Sequence, residues 1–222
     1  MKRSAEGRMN QDELLDVARA AARAVGPALI KAFRSRPEVT TKRDFHDLVT
    51  EHDRAAEETI RALVSERLPG SAFVGEECGA TGSGDLVWYV DPIDGTANFA
   101  AGLPYFCVSV AAAVRGELVA GVVYDPMRGD EFTAGRDGAW CNGTPLRSAG
   151  AVRDREALLL TSYPTPRELD LGEQEALARY ARLLRSFATV RRPGSAALNL
   201  AHVAAGWADV AFATGVSSWD VA

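Results

Sequence analysis

An apolar run from Leu86 to Val90 passes directly into Asp91-Pro92-Ile93-Asp94-Gly95-Thr96-Ala97-Asn98-Phe99, and that junction constrains the chain more than any other stretch. The run has the length and β-rich character of a buried strand. Proline removes a ladder donor and fixes its own φ, so Asp91-Pro92 is expected to end the strand. Asp91 and Asp94 lie three apart across the turn and can point into one cavity at the strand's end. Gly95 and Thr96 follow, where a glycine lets backbone N–H groups approach an anion at a helix start. Converging carboxylates beside an anion cradle suit a hard divalent cation bridging to a phosphate. On spacing alone, a solvated acidic turn is an equal reading.

Charge narrows the partners. A net charge of −5 and a pI near 5.3 argue against a broad nucleic-acid-binding surface. They leave anionic substrates open, because a bound metal reverses the local field. Cys78, Cys107 and Cys141 are odd in number and widely spaced, which fits a reduced chain with small buried thiols better than a disulfide scaffold or a zinc site. Met1 to Asn10 carries charges without an apolar core, and no run approaches membrane-spanning length. The expectation is a soluble cytoplasmic protein that does not engage a membrane.

Apolar residues recur at helical spacing from Gln11 to Phe33, with Arg19 and Arg23 read as the solvated face. Thr40 to Asp44 reads as a turn or short hairpin. A second helix is expected from Asp47 to Leu68, with Leu48, Ala55, Ile60, Leu63, Val64 and Leu68 facing inward, ended by Pro69-Gly70. Phe73-Val74-Gly75 is a short strand, and Gly79 to Asp85 a glycine-bearing loop. Strands are expected at Tyr105–Val114, Leu118–Tyr124 and Asp130–Ala134, followed by a turn at Asn142-Gly143. Beyond Ala149-Gly150 the pattern alternates. Leu158–Thr161, Thr189-Val190 and Ala208–Ala213 read as strands, and Glu173–Phe187 and Ser195–Ala205 as helices. The division is an α+β part over 1–148, carrying most of the acids, and a smaller α/β part over 149–222.

The remaining acids are each unremarkable in isolation. Glu76-Glu77 at a strand end reads as solvated surface, Asp53 as a helical surface acid, and Asp220 after Trp219 as a helix cap. Their order is what carries weight. Asp47-Leu48-Val49-Thr50 with Asp53, Gly75-Glu76-Glu77, the 88–99 stretch, Gly194-Ser195-Ala196-Ala197 and Trp219-Asp220-Val221-Ala222 together resemble the motif series of the inositol monophosphatase family. That family comprises magnesium-dependent, lithium-sensitive phosphatases. The resemblance runs from the first helix to the last residue.

The resemblance implies a layered αβαβα sandwich of the sugar-phosphatase type, of mixed α+β and α/β character. It implies a homodimer holding two to three Mg2+ ions, with Mn2+ an alternative. Glu76, Asp91 and the carbonyl of Ile93 would bind one ion, and Asp91, Asp94 and Asp220 a second. Glu76 would reach a third through water. Asp53 and Thr96, with Glu76, would activate the attacking water. Gly95 and Thr96 would hold the phosphate, Lys42 would stand near the entrance, and Gly194, Ser195 and Ala196 would border the substrate. Oxygen-only ligands favour magnesium or manganese over zinc, and His46, His52 and His202 lie outside the matching positions.

Two departures bear on substrate. Ala213-Thr214-Gly215 stands where many relatives carry a glutamate that contacts substrate hydroxyls. Relatives also continue past Trp-Asp with a further helix and strands, so the C-terminal layer is expected to be incomplete. The resulting expectation is a metal-dependent phosphomonoesterase acting on inositol 1-phosphate or a similar polyol or sugar phosphate. The alternatives are histidinol phosphate, fructose 1,6-bisphosphate or 3′-phosphoadenosine nucleotides on the same fold, or a non-catalytic regulatory binding protein.

Overall fold

The computed structural model describes residues 10–35, 37–41 and 48–222. Helix α1 (Gln11–Ala32) starts where the Asn10 side chain accepts from the Asp12 N–H at 3.1 Å, with Asp12 and Glu13 complementing the helix dipole. Its buried stripe, Leu14, Val17, Ala18, Ala21, Ala22, Val25 and Leu29, is rich in alanine, so the helix axis sits close to the sheet beneath. Gly26 extends that approach, since a Cβ there would lie 2.8 Å from the Tyr124 ring. Arg19 is half-buried and Arg23 exposed, in keeping with a solvated face, but both also have a buried partner. Their heads close on the buried carboxylate of Glu131, Arg19 Nε at 2.8 Å and Arg23 Nε at 2.5 Å. A charge taken out of water is tolerable only with such partners, and both arginines are needed because Glu131 is 3 % exposed.

Strands β1 (Val39–Thr41) and β2 (Leu48–Thr50) pair antiparallel, the short hairpin that the polar segment suggested. Helix α2 (Glu51–Arg67) therefore begins later than expected, and Asp47 lies outside the described residues. Thr50 explains the start. It ends β2 and caps α2, its hydroxyl accepting from the His52 N–H at 3.2 Å, while Asp53 Oδ2 accepts from the Thr50 N–H at 2.8 Å. The buried face of α2 also differs from the expectation. Ala55 is exposed, and Asp53, Ala56, Glu57, Ile60 and Val64 point inward.

Strand β3 (Ala72–Gly75) is followed by β4 (Gly79–Thr81), which folds back on it within the segment read as a loop. Strand β5 (Leu86–Asp94) runs parallel to β3 and continues through Pro92 rather than stopping there. On one side β3 pairs only as far as Val90. On the other, β6 (Cys107–Val114) pairs with Asp91 at Ser109 and with Asp94 at Cys107, so Pro92-Ile93 forms a bulge in which no N–H is required of the proline. Short helix α3 (Thr96–Ala101) leaves the strand end through Gly95, whose φ of 104° is left-handed.

Strands β7 (Glu117–Asp125), β8 (Asp130–Gly135), β9 (Gly138–Cys141) and β10 (Thr144–Pro145) complete an eight-stranded sheet in the order β10-β9-β8-β7-β6-β5-β3-β4. All its pairs are antiparallel except β3 with β5. Helices α1 and α2 cover one face, over a core containing Trp88, Ile93, Phe99 and Phe106, each 0 % exposed. Cys107 and Cys141 are buried as expected, whereas Cys78 is exposed.

The second sheet is parallel, in the order β12-β11-β13, from β11 (Leu158–Thr161), β12 (Thr189–Arg191) and β13 (Val210–Phe212). Helix α4 (Pro166–Ser186) starts well before the expected Glu173. Gly172, non-helical at φ 175° and ψ 76°, kinks it, so the periodic stretch seen in the sequence is only its second segment. Helix α5 (Ala196–Ala204) packs between the sheets, with Ala197, Leu198 and Ala201 against Cys107, Phe132 and Cys141. Helix α6 (Ser218–Val221) then reaches β5 and β6. The alternation of helical and sheet layers is the expected αβαβα class. No helix among the described residues is long and apolar enough to cross a membrane.

Candidate metal and phosphate site

Four chain segments meet at the end of β5. Parallel pairing of β3 and β5 carries the Glu76 N–H to the carbonyl of Val90 at 3.2 Å, placing Glu76 beside Asp91. The bulge after Asp91 turns the chain so that Asp91 Oδ1 accepts from the Ile93 N–H at 3.0 Å. Asp94 is held by the start of α5. Its Oδ2 accepts from the Ser195 hydroxyl at 2.6 Å and the Ala197 N–H at 2.7 Å, and its Oδ1 accepts from the Ala196 N–H at 3.2 Å. Asp220 arrives on α6, its Oδ2 accepting from the Ser217 N–H at 2.6 Å, with Trp219 tied to β6 through Ser109 at 3.3 Å.

The electrostatics show that these acids feel one another. Burial pushes the Asp91 carboxyl well above the usual range, and Glu76, Asp94 and Asp220 push it further. Burial also raises Asp94, to about 6, against the lowering effect of the Ser195 hydroxyl and Ala197 N–H. No cation is among the leading influences on either group. Among the described residues, no three His, Cys, Asp or Glu side chains are already gathered round one point as a finished metal cage. The donor chemistry nevertheless fits a hard divalent ion, because the side chains offer oxygens only.

A separate pair stands next to the acids. Asp53, 0 % exposed, accepts from the Thr50 hydroxyl at 2.6 Å on Oδ2. Its Oδ1 faces the Thr96 hydroxyl at 2.9 Å, and that hydroxyl also lies 3.0 Å from the Ile93 carbonyl oxygen. Gly95 and Gly194 bring the two halves of the site together. A Cβ at Gly95 would meet the Tyr105 and Gly194 carbonyl oxygens at 3.0 and 3.2 Å, and one at Gly194 would meet Asn98 Nδ2 at 2.9 Å. Asn98 Nδ2 in turn donates to the carbonyls of Tyr105 and Pro193, both at 2.7 Å.

Glu76, Asp91, Ile93, Asp94, Gly95, Thr96, Asp53, Gly194, Ser195, Ala196 and Asp220 thus belong to one neighbourhood. Ser195 and the Ala196 N–H are turned to Asp94. Lys42 and His46 lie outside the described residues. His52 and His202 pack against aromatic rings, as structural groups. A groove of about 1410 Å³ beside Asn10, Leu15, Leu118 and Trp140 contains none of the cluster's acids. Sequence reading placed Thr50 in a motif without giving it a role, and missed Glu57. Glu57 was detectable as an acid four residues after Asp53, on the same buried stripe as Ile60 and Val64.

Residues 10–222 match the inositol monophosphatase family. The chain is 41 % identical over 219 residues to the protein of Pseudomonas aeruginosa named Nus factor SuhB, covering 94 % of this chain and 79 % of that one. It is 41 % identical over 180 residues to the inositol-1-monophosphatase of Mesorhizobium japonicum, covering 79 % of this chain and 66 % of that one. Among solved structures, the extragenic suppressor protein suhB of Bartonella henselae superposes with a TM-score of 0.88 at 33 % identity, covering 94 % of this chain and 81 % of that one.

Proposed function

The chain belongs to the inositol monophosphatase family, and on that premise we propose that it is a metal-dependent phosphomonoesterase acting on inositol 1-phosphate or a similar polyol or sugar phosphate. The observation that carries this reading is the meeting of a buried acid cluster with the Thr96 to Asp53 hydrogen bond. Glu76, Asp91, Asp94, Asp220 and the Ile93 carbonyl are the groups that would hold Mg2+, with Mn2+ a substitute. When bound, such ions neutralise the phosphate, lower the pKa of a coordinated water from about 15.7 toward ~7 and stabilise the departing oxygen.

The chain's own residues supply the proton path. Thr50 occupies Asp53 Oδ2 and so aims Oδ1 at Thr96. As the attacking water gives a proton to Thr96 Oγ, the Thr96 proton passes to Asp53 Oδ1. The water oxygen bonds to phosphorus, the ester P–O bond breaks, and the departing alkoxide takes its proton from a solvent water to leave as the alcohol. Backbone N–H groups of Gly95 and Thr96, at the first turn of α3, would take phosphate oxygens, because helix-start amides have no acceptor within the helix. Buried Phe99 and Phe106 back the site and keep bulk water from that side.

The experiment is phosphate release from inositol 1-phosphate, fructose 1,6-bisphosphate, histidinol phosphate and 3′-phosphoadenosine 5′-phosphate, with and without Mg2+. Magnesium-dependent release from the first supports the reading. Release from another moves the substrate, and silence on all four despite folded protein overturns it. A second reading, a partner-binding protein on the same fold, is favoured by the likeness to a protein named Nus factor. It predicts no phosphate release and no affinity for Mg2+ at millimolar concentrations.

A further inference from the structure

Glu57 is fully buried on α2, one turn beyond Asp53 and on the same face. Its carboxylate is not left to a cation. Oε2 accepts from the Glu77 N–H at 2.8 Å and Oε1 from the Cys78 N–H at 2.7 Å. Those are the first two amides after Glu76. On the other side of Glu76, Gly75 is the residue that makes room, because a Cβ there would lie 2.5 Å from Glu57 Cδ and Oε2 and 2.7 Å from Oε1. Glu76 itself is pinned through its own N–H to the Val90 carbonyl at 3.2 Å.

We infer that Glu57 is a positioning residue for divalent-cation binding: it fixes the 75–78 turn by its two amide contacts and so fixes where Glu76 presents its carboxylate. The inference rests on Glu76 being a cation ligand. The chemistry explains why an acid occupies this place. Two N–H donors face the group, and only a carboxylate offers an acceptor to each. Glutamine would satisfy one and set its own NH2 against the other, leaving a buried donor without a partner. An apolar side chain would strand both. Helix α2 then delivers two parts of one site on a single rigid element. Asp53 reaches Thr96, and Glu57, one turn on, holds the turn that carries Glu76. Their relative position is set by the helix pitch and not by a loop.

The test is Mg2+ titration by calorimetry on wild type, Glu57→Gln and Gly75→Ala, alongside phosphate release across Mg2+ concentration. Gly75→Ala reaches the same contact from the other side by driving the Glu57 carboxylate away, and it decides the matter if Glu57→Gln does not fold. Both variants are expected to raise the Mg2+ dissociation constant by roughly tenfold or more, the usual scale for groups that orient metal ligands. At saturating Mg2+ their kcat should return to within about threefold of wild type, since Asp53 and Thr96 are untouched. Folded variants that bind Mg2+ as wild type does, or lose kcat at saturating metal with unchanged affinity, overturn the inference. Wild type that releases phosphate without binding Mg2+ overturns the assignment of Glu76 as a ligand, and this inference with it.

Discussion

The Thr96 hydroxyl lies 2.9 Å from Asp53 Oδ1, joining α3 to α2 across residues 43 positions apart. The contact gives Thr96 an acceptor for its own proton, which a threonine needs before it can take one from water. Thr96→Val and Asp53→Asn should each lower kcat by roughly 100-fold or more, the scale of general-base catalysis. Magnesium affinity, read by calorimetry, should stay within about threefold of wild type. An Asp53→Asn variant with near-normal kcat would exclude the proton path.

Asp91 is pushed upward by burial and by Glu76, Asp94 and Asp220 together. Without a cation the cluster is either crowded with charge or protonated at a free-energy cost, and an amide removes both penalties. Asp91→Asn should therefore abolish turnover while raising metal-free stability by roughly 1–2 kcal/mol. Thermal unfolding in EDTA would show the gain as a rise of a few degrees. A fall in Tm in EDTA would contradict this account of the cluster.

Binding of Mg2+ to the folded chain alone must stabilise it by mass action. At about 100 times the dissociation constant the gain is ~2.7 kcal/mol. The shift should appear in wild-type melting curves and vanish in Asp91→Asn. A magnesium-independent Tm in wild type would count against any functional metal site.

Arg19 and Arg23 hold a carboxylate that is almost wholly buried. Both arginines are partly exposed, at 40 % and 56 % of their side chains, so each single substitution is screened by water and by the surviving partner. Arg19→Ala or Arg23→Ala should cost about 1 kcal/mol, and the double variant roughly 3 kcal/mol, more than the sum, because Glu131 is then buried alone. Urea unfolding of the four proteins measures the coupling.

Burial lowers the pKa of His202, and Arg128 lowers it further, with Asp130 opposing. Its ring sits among Tyr105, Phe132 and Trp207. The folded chain thus favours the neutral ring, while the unfolded chain binds a proton near pH 6.5. The contribution of His202 is fully present above about pH 6.5 and is lost as pH falls from there through the depressed folded value. The slope from this group is at most about 1.4 kcal/mol per pH unit. His202→Gln should flatten stability between pH 6.5 and 5 in denaturant titrations, and an unchanged slope would assign the acid sensitivity to other groups.

The sequence by itself determined most of the elements, though not β4 or the starts of α2 and α4, and the order of the acids along the chain. The periodicity of Leu14 to Leu29, the apolar run into Asp91-Pro92, the Asn-Gly turn and the ordered acids were all readable, because period, turn residues and donor type are local properties of the chain. It also marked Gly95-Thr96 as a place where a helix could start, and the φ of 104° that Gly95 adopts is one that few other residues tolerate. Tertiary structure decided everything that depended on a partner distant in sequence. Pro92 did not end its strand, because the bulge opposite Cys107 to Ser109 asked for no donor there. Asp53, read as a helical surface acid, and Glu57, not singled out at all, became buried because Thr96 and the amides of Glu77 and Cys78 offered donors. Arg19 and Arg23 stay partly in solvent, yet their heads reach Glu131 for the same reason. A polar group's place depends on where its counterpart is carried by the fold. Here the counterparts lie between 20 and 112 residues away, beyond the reach of any local pattern.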